Sequence, residues 1–166
     1  YYQGFGMEDR KVEKPLCVMK GEDLIGLPLS APRCQYDTIY VLPMFTISMN
    51  KGTGVVTSVP SNAPDDYVCL MDWKNRENWR TKFNIDEKWA NFEVVPIIEI
   101  DGQPELTNVV AKYLCDKAKV DTHKQTDKLA EIKKDVYKTD FYKGKFLSIE
   151  EAPFLGEYAG MMVQDA

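Results

Sequence analysis

The run Lys51-Gly-Thr-Gly-Val-Val-Thr-Ser-Val-Pro-Ser-Asn-Ala-Pro-Asp-Asp-Tyr67 constrains this chain more than any other stretch, because within 17 residues it asks for a turn, an extended segment and a helix start. Asn50, Lys51 and Gly52 follow the apolar-rich stretch Ile39 to Met49, and a glycine there permits the positive φ of a tight hairpin. Gly54 to Val59 is β-branched and nearly uncharged, which predicts a strand buried on both faces and ended by Pro60. Ser61 and Asn62 are N-cap types, and Pro64 suits a first helical turn. Asp65 and Asp66 fall where the helix macrodipole is positive, which favours their ionised forms. An anion held at a strand-to-helix elbow can grip an ammonium group through a charge-assisted hydrogen bond. The same acids serve equally as first-turn stabilisers, each contributing about 0.3–1 kcal/mol, so spacing alone leaves both roles open.

With 166 residues and 44% hydrophobic content, the chain can bury one real core, and a single domain is the expectation. It starts at Tyr1 without a Met, which agrees with a piece of something larger. Cys17, Cys34, Cys69 and Cys115 form no C-x-x-C pair and His123 is the single histidine, so no zinc-finger pattern can be assembled. Four spaced thiols fit a reducing cytoplasm, while the even count leaves a disulfide pair open. There is no apolar run of about 18 residues and no signal-peptide core, so a soluble cytoplasmic module is expected. A net charge of −5 argues against a broad nucleic-acid-binding face and against DNA as a partner. Lysines gather between Lys117 and Lys145, but Asp121, Asp127, Glu131, Asp135 and Asp140 are interleaved, which predicts a solvated helix face rather than a phosphate track.

A pass along the chain predicts alternating elements. Tyr1 to Lys14 is polar and charged, which predicts a frayed end or a strand whose partners lie upstream. Leu16–Lys20 and Leu24–Leu29 read as strands around a Gly21-Glu22-Asp23 turn, and Thr38–Leu42 and Phe45–Met49 as further strands. A helix is expected from Asp65 to about Trp73, then short helical pieces to Trp89, with Trp73, Trp79 and Trp89 packing rather than stacking on bases. Phe92–Ile100 is β-rich and cut by Pro96, and Asp101-Gly102 is a turn. Thr107 caps a helix to about Lys117, and Asp127 starts another to about Lys138. His123 sits in a polar stretch without strand-end context, which gives no support to nucleophilic catalysis. Lys51-Gly-Thr-Gly has the spacing of neither a P-loop nor a Rossmann fingerprint.

The run GTGVVTSVPSNAPDDY resembles the aspartate-bearing segment in the editing domain of class I leucyl-tRNA synthetases, of the archaeal and eukaryotic cytosolic type. The isoleucyl and valyl enzymes share the GTG-strand-Pro-Asp-Tyr skeleton but differ between strand and final Asp, so the leucyl family is the better fit. The resemblance continues through Leu24-Ile-Gly-Leu-Pro-Leu-Ser-Ala-Pro32, Ile39-Tyr-Val-Leu-Pro-Met44, Phe92-Glu-Val-Val-Pro-Ile-Ile-Glu-Ile100, Lys128-Leu-Ala-Glu-Ile-Lys-Lys134 and Phe141-Tyr-Lys-Gly144, in order. It implies a mixed α and β fold, a β-barrel-like core of strands flanked by helices. Residues 1–166 would be most of one editing domain, lacking its N-terminal threonine-rich segment, and deacylating poorly alone.

The resemblance also implies roles. Asp66, six residues after Pro60 and directly before Tyr67, matches the amino-group-binding aspartate and is the candidate catalytic residue, acting by orientation. Thr57 and Asn62 match positions near the terminal adenosine, and Ser58 and Val59 complete the substrate-binding candidates. The implied substrate is the acylated 3′ end of tRNA for leucine, with water as nucleophile and no cofactor or metal for editing. ATP and magnesium belong to the synthetic domain, of which no HIGH-like or KMSKS-like signature occurs here. A benzoxaborole-type adduct is a further ligand the resemblance implies. The alternatives are an editing-inactive structural or protein-interaction module, or the editing domain of an isoleucyl or valyl enzyme.

Overall fold

The computed structural model describes residues 16–47, 54–103 and 109–166. The expected turn at 50–52, the helix cap Thr107 and the polar end at 1–14 lie outside the described residues. The architecture mixes α and β. Strands β1 (Pro28–Leu29) and β2 (Ile39–Tyr40) pair antiparallel, with Pro28 opposite Tyr40. Helices α1 (Pro64–Asn75) and α2 (Glu77–Phe83) follow. Strand β3 (Ile98–Ile100) pairs antiparallel with β4 (Gly144–Phe146), and between them run α3 (Val110–Ala118) and α4 (Thr126–Lys143). Among the described residues the strands form two separate two-stranded sheets and no closed barrel.

Helix α1 is the centre of the packing, because it is buried from two sides. Val68 meets Cys115, Val120 and Leu129 of the α3–α4 side, while Cys69 and Trp73 meet Ile85 and Ala90 on the other. A helix with two apolar neighbours cannot keep one clean polar face. Trp73 is fully buried and its indole N–H donates to Pro43 O at 2.8 Å, so the largest core side chain leaves no polar atom unsatisfied. Trp89 packs over Gly26, whose φ of +80° and close approach to the indole leave no room for a Cβ. The packing role expected of the tryptophans therefore holds for Trp73 and Trp89.

Several expected strands are absent. Instead of a hairpin at 21–23, residues 21–24 form a 3-10 turn stapled by Lys20 N–H to Asp23 Oδ2 at 2.9 Å. Leu16 and Val18 are fully or nearly fully exposed, and among the described residues nothing pairs with 16–20 as a strand. Residues 54–59 form no strand, Gly54 bends with a φ of +76°, and Val56 is 64% exposed, contrary to a strand buried on both faces. The β-run at 92–100 is trimmed to its last three residues, the part that follows Pro96. All four cysteines are free thiols, with Cys69 and Cys115 buried. Burial pushes each of these two thiols up to about 12, which makes them inert packing groups.

His123 is not on a polar surface but fully buried beside the equally buried Asp72. Asp72 Oδ2 accepts from His123 Nδ1, from His123 N–H at 3.0 Å and from Thr122 Oγ1 at 2.9 Å, while Oδ1 accepts from Arg76 Nε at 2.6 Å. Burial works to raise the Asp72 carboxyl, but the bonds from His123 and Thr122 outweigh it and hold the group below its ordinary value. The imidazole is boxed by Phe45, Trp73 and Trp79, so this pair ties the loop before α4 to α1 as a structural staple. Asp72→Ala should therefore destabilise the fold by about 3–5 kcal/mol, the cost of stranding buried partners. Because the folded value is depressed, this contribution is present above the ordinary carboxylate value and is lost as pH falls below it. Urea unfolding of both proteins from neutral to acid pH should show the two curves converging.

Candidate functional site

The chain turns sharply at residues 60–63, and this elbow is buried where loops usually are not. Ser61, Asn62 and Ala63 are 2%, 7% and 7% exposed, so their polar groups need internal partners. Asn62 N–H and Ala63 N–H both donate to Val59 O, at 3.2 and 2.9 Å, which closes the turn. Ser61 O accepts from Ala111 N–H of α3 at 3.0 Å. The predicted caps are used differently from expectation: Ala63 is the N-cap of α1, Pro64 is at the first position, and no side chain caps the helix. Ser61 Oγ instead donates to Asn62 Oδ1 at 2.7 Å, and Asn62 Nδ2 donates to Asp140 Oδ2 of α4 at 2.9 Å.

Beside this elbow lies a cleft of about 350 Å³, lined by Thr57, Val59, Asn62 and Asp66 with Asp65, Lys133 and Tyr137. Its volume is that of a small-molecule site. A second cleft of about 370 Å³ between α3 and α4, lined by Leu114, Lys117 and Ile132 among others, contains no comparably buried carboxylate. Four of the five residues singled out from sequence thus converge on one cleft. Ser58 is exposed and does not line it, though its hydroxyl hydrogen-bonds the Asp66 carboxyl.

Asp66 accepts from Val59 N–H at 2.7 Å, so the extended segment and the helix start are joined by the candidate anchor itself. Burial pushes the Asp66 carboxyl above its ordinary value and the Asp65 charge adds to this, while the Val59 amide, the Lys133 ammonium and the Ser58 hydroxyl pull the other way. The helix dipole was expected to favour ionisation, and desolvation wins instead. Asp65, left open between cap and contact, forms an ion pair with Lys133 Nζ at 2.7 Å across to α4. Burial draws Lys133 down, but its bond to Asp65, the charge of Asp65 and the neighbouring Tyr137 hold it above the ordinary lysine value. Among the described residues no group of His, Cys, Asp and Glu is arranged to hold a metal ion.

No family model matches the chain. It is 42% identical over 165 residues to the cytoplasmic leucine–tRNA ligase of Pongo abelii, covering 99% of this chain and 13% of that protein. To the cytoplasmic enzyme of Arabidopsis thaliana it is 39% identical over 166 residues, covering 99% and 14%. The crystal structure of the P. falciparum cytosolic leucyl-tRNA synthetase editing domain with insertions 1 and 3 deleted superposes with a TM-score of 0.75 at 33% identity. That match covers 89% of this chain and 43% of that one. The chain belongs to the leucyl-tRNA synthetase editing-domain family. It spans about one eighth of the length of the ligases it matches.

The sequence signals do not single out Lys133, Tyr137 or Asp140: Lys133 and Asp140 belong to the lysine-rich stretch with interleaved acids, which predicts a solvated face. A further signal was present: Leu129, Lys133, Val136 and Asp140 recur at the spacing of one helix face, and Leu129, Val136 and Asp140 are buried. The cation beside Asp66 has a measurable consequence. Lys133→Met should raise the Asp66 titration midpoint further, and Ser58→Ala should move it the same way, as read from carboxyl carbon shifts by NMR. An unchanged midpoint in both variants would show that burial alone sets it.

Proposed function

We propose that this chain carries out the hydrolytic editing step of a leucyl-tRNA synthetase, releasing a wrongly attached amino acid from the 3′ end of tRNA for leucine. The observation that carries this reading is Asp66, a half-buried carboxylate fixed by Val59 N–H, lining a cleft that Thr57 and Asn62 also line. Asp66 holds the α-ammonium of the bound aminoacyl group and aims the ester carbonyl at a water molecule. Water adds to that carbonyl, the bond to the ribose oxygen breaks, and the ribose oxygen takes up a proton, leaving free amino acid and intact tRNA. The contribution of Asp66 is orientation, since it neither gives nor takes a proton in the reaction. Its raised value suits this role, because an arriving ammonium stabilises the ionised form that burial disfavours. Thr57, Val59 and Asn62 contact the terminal adenosine and its ribose, with Ser58 supporting Asp66 from outside. Editing of this kind is needed because one methylene changes binding by only about 1–3 kcal/mol.

The reaction needs no cofactor or metal. ATP and magnesium serve amino-acid activation elsewhere in a full-length ligase. A benzoxaborole-type adduct with the terminal adenosine would occupy the same cleft. The names of the relatives support a cytoplasmic location, and among the described residues no helix is long and apolar enough to cross a membrane. The barrel-like core belongs to this reading as well. Val56 and Val59 along the extended segment, and Leu16 and Val18 before β1, expose apolar side chains suited to further strands of an editing domain about twice as long.

The test is deacylation of leucine-specific tRNA mischarged with isoleucine or norvaline, by the natural full-length protein and its Asp66→Ala variant. The variant should lose at least about tenfold, equivalent to about 1.4 kcal/mol of transition-state stabilisation. A folded parent protein that leaves the mischarged tRNA intact would instead mark an editing-inactive module.

A further inference from the structure

The elbow is held from outside by one side chain that no site role explains. Asp140 lies on the last turn of α4, 6% exposed, and its Oδ2 accepts from Asn62 Nδ2 at 2.9 Å. Its other oxygen is buried without a hydrogen-bond partner among the described residues. A carboxylate brought into the interior is costly, and helix α4 could have placed an apolar residue beside Val136 at no such cost. The retained polar contact is spent on one partner, the amide of Asn62. That amide has a fixed orientation, with Oδ1 turned to Ser61 Oγ and Nδ2 to Asp140. An Asn without such partners on both sides would rotate between two states about its terminal torsion.

The contact reaches the anchor in three steps. Asp140 holds Asn62, Asn62 N–H closes the turn on Val59 O, and Val59 N–H donates to Asp66 Oδ2 at 2.7 Å. We propose that Asp140 is a positioning residue of the cleft, which acts through the Asn62 amide to hold the elbow in the form that presents Asp66. The inference rests on the editing reading for its kinetic consequence, while the structural link stands apart from it. Asp140 does not touch the cleft and takes no part in the reaction. It sets how often the cleft is in its productive shape, so its loss should appear in kcat more than in KM.

The experiment uses the natural full-length protein with Asp140→Leu, Asp140→Asn, Asn62→Ala and the Asn62→Ala/Asp140→Leu pair. Two readouts are taken: deacylation of norvaline-charged tRNA, and hydrogen exchange of peptides covering 55–63 against a peptide covering α2. Asp140→Leu should slow kcat at least about tenfold with KM changed less than about threefold, and should speed exchange at 55–63 but not in α2. Asp140→Asn keeps an acceptor for the Asn62 amide and should recover most of both properties. In hydrogen exchange at 55–63 the double variant should be no faster than Asp140→Leu alone, the signature of two residues acting as one unit. Unchanged exchange at 55–63 in Asp140→Leu overturns the proposal. So does an Asp140→Asn protein as impaired as Asp140→Leu, additive increases in exchange at 55–63 in the double variant, or exchange that rises equally in α2. If the parent protein does not deacylate, the editing reading fails, and local exchange in Asp140→Leu against Asp140→Asn still decides whether the link exists.

Discussion

A buried turn is the constraint on which the rest of this structure depends. Residues 60–63 leave an extended segment and enter α1 beneath the surface, where every backbone amide and carbonyl must be paired within the protein. The turn satisfies itself first, through Asn62 and Ala63 N–H on Val59 O, and then recruits its neighbours. Helix α3 supplies Ala111 N–H to Ser61 O, and α4 supplies Asp140 to the Asn62 amide. The relative placement of α1, α3 and α4 therefore follows from hydrogen-bond demand as much as from apolar contact. Pro64 begins α1 at no cost in hydrogen bonding, because the first amides of a helix have no partner within it.

The helices were legible in the sequence and the strands only in part: β1, β2 and β3 lie inside the expected runs 24–29, 38–42 and 92–100 but are much shorter. Helices α1 and α4 announce themselves by an acidic first turn and α3 by its spaced apolar stripe, and such local signals do not depend on distant chain. α4 runs on to Lys143, beyond the expected end, and stops where Gly144 passes too close to Asp140 O and Ile98 to carry a Cβ. A strand depends on what lies beside it, so β-branched composition at 54–59 records a preference for a pleated neighbour rather than a commitment to one. Val56 shows the outcome, a side chain suited to a sheet and left exposed. The same limit is why the barrel-like core came from the resemblance and not from the residues, since closure is a property of many pairings and of none of their sequences alone.

The candidate cleft was legible by position and only partly by environment. Thr57, Val59, Asn62 and Asp66 share a cleft because four residues on one elbow can hardly avoid each other. What sequence could not weigh was desolvation. The helix dipole favours an ionised Asp66, yet burial is the larger effect and the balance lies above the ordinary value. Asp140 and Lys133 were hidden for a related reason. A lysine-rich helix with interleaved acids reads as a solvated face, and periodicity distinguishes the inward members only when charged residues are allowed onto the apolar stripe.

Helix α1 carries three carboxylates, and their partners divide the labour. Asp72 is saturated by His123, Thr122 and Arg76, which makes it a staple. Asp65 is committed to Lys133, an ion pair that binds α1 to α4 and places a cation next to the cleft. Among the described residues Asp66 makes no ion pair, and its bonds come from a backbone amide and a hydroxyl, neither of which cancels its charge. Of the three, it is the carboxylate that retains charge to offer to an incoming cation. The neighbouring pair sharpens this asymmetry: Asp65 alone would crowd Asp66 with like charge, and Lys133 alone would repel an ammonium, but together they are nearly neutral at the cleft. On the proposed reading, an ammonium entering there would meet one uncompensated negative group, held by the turn to which α3 and α4 are hydrogen-bonded.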